Sequence, residues 1–135
     1  MRVAFGTDEM TPVTEELRAD LVNLGHDLVV VANPLRWAEA GMAVGQAVAQ
    51  GRAEVGVVFC FTGTGVAMAA NKVPGVRAAL CADPETARGA RRWNDANVLA
   101  LSLRLTTTEL GHEMIDAFLS SAPDGTEADQ IALLS

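Results

Sequence analysis

The run Val55-Gly56-Val57-Val58-Phe59-Cys60-Phe61-Thr62-Gly63-Thr64-Gly65 passes from continuous apolar sequence into a glycine-punctuated turn. Apolar residues without alternation suit a β-strand covered on both faces. Glycines directly behind such a run suit a tight turn into a helix. Four further runs share this character: Val3-Ala4-Phe5, Leu28-Val29-Val30-Val31, Val76-Arg77-Ala78-Ala79-Leu80 and Asn97-Val98-Leu99-Ala100-Leu101. Helical punctuation fills the gaps. Thr11-Pro12 caps and starts a helix carrying Leu17, Leu21 and Leu24, with Gly25 just past its end. A second helix spans about Trp37 to Gln50 and is closed by Gly51. A third follows Gly63 and Gly65, a fourth opens near Pro84 with Asp83 as its N-cap, and a fifth covers about Thr108 to Ser120. Five strand–helix units with short connections predict an α/β fold. The form is a three-layer α/β/α sandwich on a five-stranded parallel sheet, Rossmann- or flavodoxin-like, in the order 2-1-3-4-5. One domain is expected over residues 1–135, with the tail from about Ala122 loosely specified.

Composition narrows the partners. The chain has 135 residues, and its 10 Lys+Arg against 17 Asp+Glu give a net charge of -7. That balance argues against nucleic acid and anionic membrane. Every basic residue lies at or before Arg104, so an anion would be held by backbone N–H groups or by arginines from the earlier part of the chain. Cys60 and Cys81 have no ligand-like spacing with each other or with His, so neither a metal site nor a cofactor is expected. The N-terminus turns acidic at Asp8-Glu9, too early for a signal peptide. No apolar run approaches the ~18 residues of a membrane span. Two free thiols in a reducing, cytoplasmic setting follow as the expectation.

In such sheets a ligand sits beyond the carboxyl ends of the strands, where the winding reverses. Here that point falls between the loop Gly6-Thr7-Asp8-Glu9 and the loop Cys60-Phe61-Thr62-Gly63-Thr64-Gly65. Successive amides in a glycine turn at a helix N-terminus can cradle an anion, and the same field favours the thiolate of a nearby cysteine. A thiolate beside such a loop can act as nucleophile or as carbon-acid base. The same residues also suit a small buried hydrophobe and a plain tight turn. Asp8 could bind a substrate hydroxyl or simply bond its own backbone. Glu9 reads as a solvated charge, Cys81 as core, and Arg88, Arg91 and Arg92 as a solvated or subunit-contact face. His26 and His112 read as surface histidines without acidic partners in register. No P-loop, dinucleotide fingerprint, GxSxG elbow or HExxH occurs.

The segments Cys60-Phe61-Thr62-Gly63-Thr64-Gly65 through Ala69-Ala70-Asn71-Lys72-Val73, then Thr86-Ala87-Arg88 and Asn94-Asp95-Ala96-Asn97-Val98, carry a resemblance. Together with Val3-Ala4-Phe5-Gly6-Thr7-Asp8 and Leu24-Gly25-His26, they resemble the B-type ribose-5-phosphate isomerase and galactose-6-phosphate isomerase family (RpiB/LacA/LacB) from Met1 to about Phe118. The resemblance implies a metal-independent aldose–ketose isomerase working through an enediolate. It puts Cys60 on the proton-transferring cysteine and Thr62 on the residue assisting hydroxyl proton transfer. Gly63, Thr64 and Gly65 fall on the enediolate-stabilising loop, Asp8 and Asn94 on sugar contacts, and Arg104 on one phosphate arginine.

Departures from the family pattern imply a changed substrate. Glu9 and Trp93 stand where the family has His, Phe61 replaces a glycine, and Arg36-Trp37-Ala38-Glu39-Ala40 replaces Asp-Tyr-Pro-Asp-Tyr. Glu9, Phe61 and Trp93 are thereby candidate substrate contacts as well. Nothing basic follows Arg104, so the C-terminal phosphate arginines are missing. Loss of two charge-assisted contacts disfavours a dianionic phosphate by several kcal/mol, on the order of the cost of charged hydrogen bonds. A sugar or sugar phosphate other than ordinary ribose 5-phosphate is implied. Trp93 and Asn94 precede the fifth strand, at the far end of the sheet from Cys60, and could reach that site only from another chain. A homodimer or dimer of dimers is therefore expected. Two alternatives share the fold: a non-catalytic LacA-like partner subunit and a small-molecule-binding protein.

Overall fold

The computed structural model describes residues 1–134. In chain order the elements are β1 (Arg2–Thr7), α1 (Pro12–Asn23), β2 (Asp27–Ala32), α2 (Trp37–Ala49), β3 (Val55–Cys60) and α3 (Thr64–Asn71). They continue with β4 (Ala78–Leu80), α4 (Pro84–Asn94), β5 (Val98–Ser102), α5 (Thr108–Leu119) and a short α6 (Ala128–Ala132) in the tail. The caps form as the sequence implies. Thr11 closes a capping box with Thr14 at the start of α1, and the Asp83 carboxylate accepts from the Thr86 N–H at the start of α4.

All strand pairs are parallel, and helices cover both faces. Residues of β3 alternate between two cores. Val55, Val57 and Phe59 meet Leu17 and Leu21 of α1 and Met114 and Phe118 of α5. Val58 and Cys60 join Ala40 and Val44 of α2 and Val66 of α3 on the opposite face. Burial on both sides is why the run is apolar throughout rather than alternating. Val44 is wedged against two glycines of neighbouring strands. A Cβ on Gly6 would lie 2.8 Å from its Cγ2, and one on Gly56 would lie 2.4 Å from its Cγ1. Those glycines let α2 approach the sheet, and Cys60 sits on that face.

The sandwich stands as expected, but the strand order is β2-β1-β3-β5-β4 rather than 2-1-3-4-5. Burial explains the exchange. Every residue of β5 is buried, as a central strand requires, whereas β4 has only three residues, all partly open. The chain therefore carries β4 past β5 to the edge. There the Asn71 side chain pairs with the outward groups of Ala78, its Oδ1 accepting from the Ala78 N–H and its Nδ2 donating to the Ala78 carbonyl. The reversal between β1 and β3 is unaffected, so it falls between the two loops where the sequence placed it.

Candidate active site

The parallel register of β1 against β3 pairs Thr7 with Phe59, so Asp8 and Cys60 leave adjacent strands side by side. The Asp8 N–H donates to the Phe59 carbonyl at 3.1 Å, which pins the first loop to the end of β3. Behind Cys60 the chain turns sharply. Gly63 adopts φ 79°, the left-handed region, and N-caps α3. A side chain there would also meet the Leu101 backbone, with its carbonyl carbon at 3.0 Å. The turn brings the Gly63 N–H to 3.2 Å from Cys60 Sγ, to which it donates. Cys60 is 4% exposed, yet it is one of the residues lining the cleft between the two loops.

That cleft has a volume of about 410 Å³. Asp8, Cys60, Phe61, Thr62, Thr64 and Gly65 line it, so the structure brings most of the sequence-derived candidates together. Thr62 and Thr64 hydroxyls are hydrogen-bonded at 2.8 Å. No side chain caps α3, so no side chain satisfies the amides of its first turn, and Thr64 and Gly65 of that turn line the cleft. The positive end of the helix therefore faces the cleft. Asp8 Oδ1 is buried and has no hydrogen-bond partner. Burial first, and the neighbouring Glu9 charge second, push the Asp8 carboxyl above its usual range, while its own backbone N–H pulls it down. Glu9 itself is exposed and outside the cleft, its backbone tied to the Thr7 hydroxyl.

Other candidates fall elsewhere. Trp93 and Asn94 end α4 ahead of β5, and the pairing of Gly56 with Val98 and of Cys60 with Ser102 sets them at the opposite end of the strands from the thiol. Arg104 follows β5 at the thiol end. Its N–H donates to the Phe61 carbonyl, but its side chain is not part of the cleft wall. Cys81 is buried core, its thiol pushed up to about 11 by burial and by Asp83. Arg88 pairs with Glu85, and Arg91 packs over Phe118 with its guanidinium bonded to the Ala96 and Ser121 carbonyls. His112 differs from expectation. The packing of α1 against α5 sets its Nδ1 at 3.7 Å from Asp20, in a separate groove. Among the described residues no His/Cys/Asp/Glu cluster has the makings of a metal site. No helix there is long and apolar enough to cross a membrane.

Trp37 and Met68 also line the cleft, and sequence reading gave neither a role. Trp37 opens α2, whose N-terminus follows a strand flanking the reversal. That position at the sheet's ligand end was the available signal. Its indole lies against Gly65, where an added Cβ would come within 2.7 Å of the ring.

The family described as Ribose/Galactose Isomerase matches residues 3–133. The chain belongs to this family. Ribose-5-phosphate isomerase B of Escherichia coli (strain K12) is 34% identical over 137 residues, covering 96% of this chain and 90% of that protein. The 4-deoxy-4-sulfo-D-erythrose isomerase of Clostridium sp. (strain MSTE9) is 32% identical, covering 90% of this chain and 80% of that protein. The solved structure of Clostridium thermocellum ribose-5-phosphate isomerase B superposes with a TM-score of 0.94 at 31% identity, covering 99% of this chain and 95% of that one. Membership in the ribose/galactose isomerase family makes this chain an isomerase by descent and by fold, as its sequence led one to expect.

Proposed function

We propose that this chain interconverts an aldose and a ketose through an enediolate, with Cys60 moving the proton between C1 and C2. One observation carries the reading. A single cleft holds a thiol, the open first turn of a helix, and a carboxylate oxygen with no partner. An open-chain aldose fits these groups with its carbonyl oxygen at the amides of α3 and a hydroxyl donating to Asp8 Oδ1. The Cys60 thiolate takes the C2 proton. The C2–H electron pair becomes the C1–C2 double bond, and the carbonyl pair moves onto O1, where the helix N-terminus stabilises it. Thr62, paired with Thr64, passes the hydroxyl proton from O2 to O1. Cys60 returns its proton to C1, and the C2 carbonyl forms.

The substrate differs from ordinary ribose 5-phosphate. No Lys or Arg lines the cleft, Glu9 adds negative charge beside it, and nothing basic follows Arg104. A family relative named for a sulfonated four-carbon sugar supports such a shift within this fold. The working unit is a homodimer in which Asn94 of the partner subunit and Trp93 of the partner subunit close the cleft from outside. Their position at the far end of the strands supports this, and an isologous pair supplies two such sites. Two buried free thiols, Cys60 and Cys81, support a reducing, cytoplasmic setting.

The test is deuterium incorporation beside the carbonyl, followed by NMR for candidate sugars in deuterated water. Wild type is expected to exchange and Cys60→Ala to lose exchange by about 10²-fold or more, the scale of a lost general base. Exchange that survives undiminished in Cys60→Ala removes Cys60 from the mechanism.

A further inference from the structure

Two kinds of side chain line the cleft. Asp8, Cys60, Thr62 and the first turn of α3 offer polar groups that match a carbonyl and its neighbouring hydroxyls. Beside them stand three large apolar side chains, Trp37 at 48% exposure, Phe61 at 61% and Met68 at 65%. Each is held there by its surroundings. The Phe61 carbonyl accepts from Ser102 Oγ and from the Arg104 N–H, both at 3.0 Å, which fixes its backbone at the cleft rim. Trp37 lies flat against Gly65, a contact that any larger residue at 65 would break. Met68 stands one turn further along α3 on the face it shares with Gly65.

We infer that this apolar wall receives the terminal carbon of the substrate and selects an uncharged, terminally deoxygenated sugar over its hydroxymethyl and phosphate counterparts. The inference rests on the aldose–ketose reading above and names the substrate class for it. A terminal methyl group gains from contact with Trp37, Phe61 and Met68. A hydroxyl pressed on the same surface loses its water without finding a partner. A phosphate fares worse, since its dianion would lie on an apolar wall that no Lys or Arg of the same chain lines.

Steady-state kinetics on three sugars that differ only at the last carbon test this: 5-deoxy-D-ribose, D-ribose and D-ribose 5-phosphate, with the corresponding four- and six-carbon sets. The expected result is a kcat/KM for the deoxy member at least about tenfold above its phosphate, the discrimination an apolar pocket gives for a group of methyl size. Trp37→Ala should shrink that ratio toward one, chiefly through KM for the deoxy sugar, and Trp37→Phe should retain most of it. A phosphate that is the best member of its set overturns the inference while leaving the isomerase reading intact. So does a Trp37→Ala variant that slows all members equally. Absence of both turnover and deuterium exchange across every set overturns the isomerase reading and this inference with it.

Discussion

Asp8 shows how much a single unpartnered atom can say about a site. A buried carboxylate oxygen without a donor costs the folded state free energy. Its pKa is raised above 3.8, so the folded protein holds that proton to higher pH than the unfolded chain. Stability therefore declines as pH climbs from about 3.8 through the raised value, and the full cost is present above it. Asp8→Asn should unfold at a higher temperature than wild type at pH 7. The gap should close below pH 3.8, as thermal melts across a pH series would show. The same variant should isomerise more slowly, because an amide oxygen is a weaker acceptor for a sugar hydroxyl than a carboxylate. A gain in stability with a loss in rate is the signature of a group kept for binding rather than folding. Between the two cysteines the contrast is equally local: Cys81 has its thiol pushed up to about 11, while only Cys60 opens on the cleft.

At the level of elements, the turn from β3 into α3 positions the groups of the proposed chemistry, and Gly63 holds the turn. Gly63→Ala places a Cβ in the left-handed region at a cost of about 1–2 kcal/mol, before its contact with the Leu101 backbone is counted. Chemical denaturation should show at least that loss. Isomerisation should fall further than stability does, because the N–H that meets Cys60 Sγ moves with the turn. This element was legible from residues alone: a buried strand, then Thr-Gly-Thr-Gly, then an alanine-rich helix permits few other arrangements. The β4–β5 exchange was not. Both runs are apolar, and chain order favours neighbours. Only the short span of β4 and the complete burial of β5 decide which is central. Trp37 escaped for a related reason. Its partner is Gly65, far away in sequence, and no periodicity in either segment announces the contact. Asp8 was legible as a loop residue at the reversal, while its missing partner is a fact of packing and has no sequence signature.

At the scale of the whole molecule, residues suited to one site lie at opposite ends of the sheet. Cys60 is at one end and Asn94 at the other, an arrangement that the proposed two-fold pair would turn into a shared site. Mixing defective chains tests that sharing. Cys60→Ala and Asn94→Ala homodimers should each be impaired. Refolding them together at equal concentration should restore about a quarter of wild-type activity, since half the dimers are mixed and each mixed dimer holds one intact site by isologous geometry. Activity no greater than the average of the two mutants would show each chain working alone.

The Asn71 carboxamide has its own consequence at this scale. By bonding both outward groups of Ala78 it serves as a sixth strand one residue long. With β4 only three residues in length, little free backbone remains on that border for another chain to template. The opposite border, β2, is twice as long at six residues, with a register shift where Phe5 pairs with Val30 and Gly6 with Ala32. The two borders of the sheet are therefore guarded by different means: a side chain on a very short strand at one flank, and a break in register along the longer strand at the other.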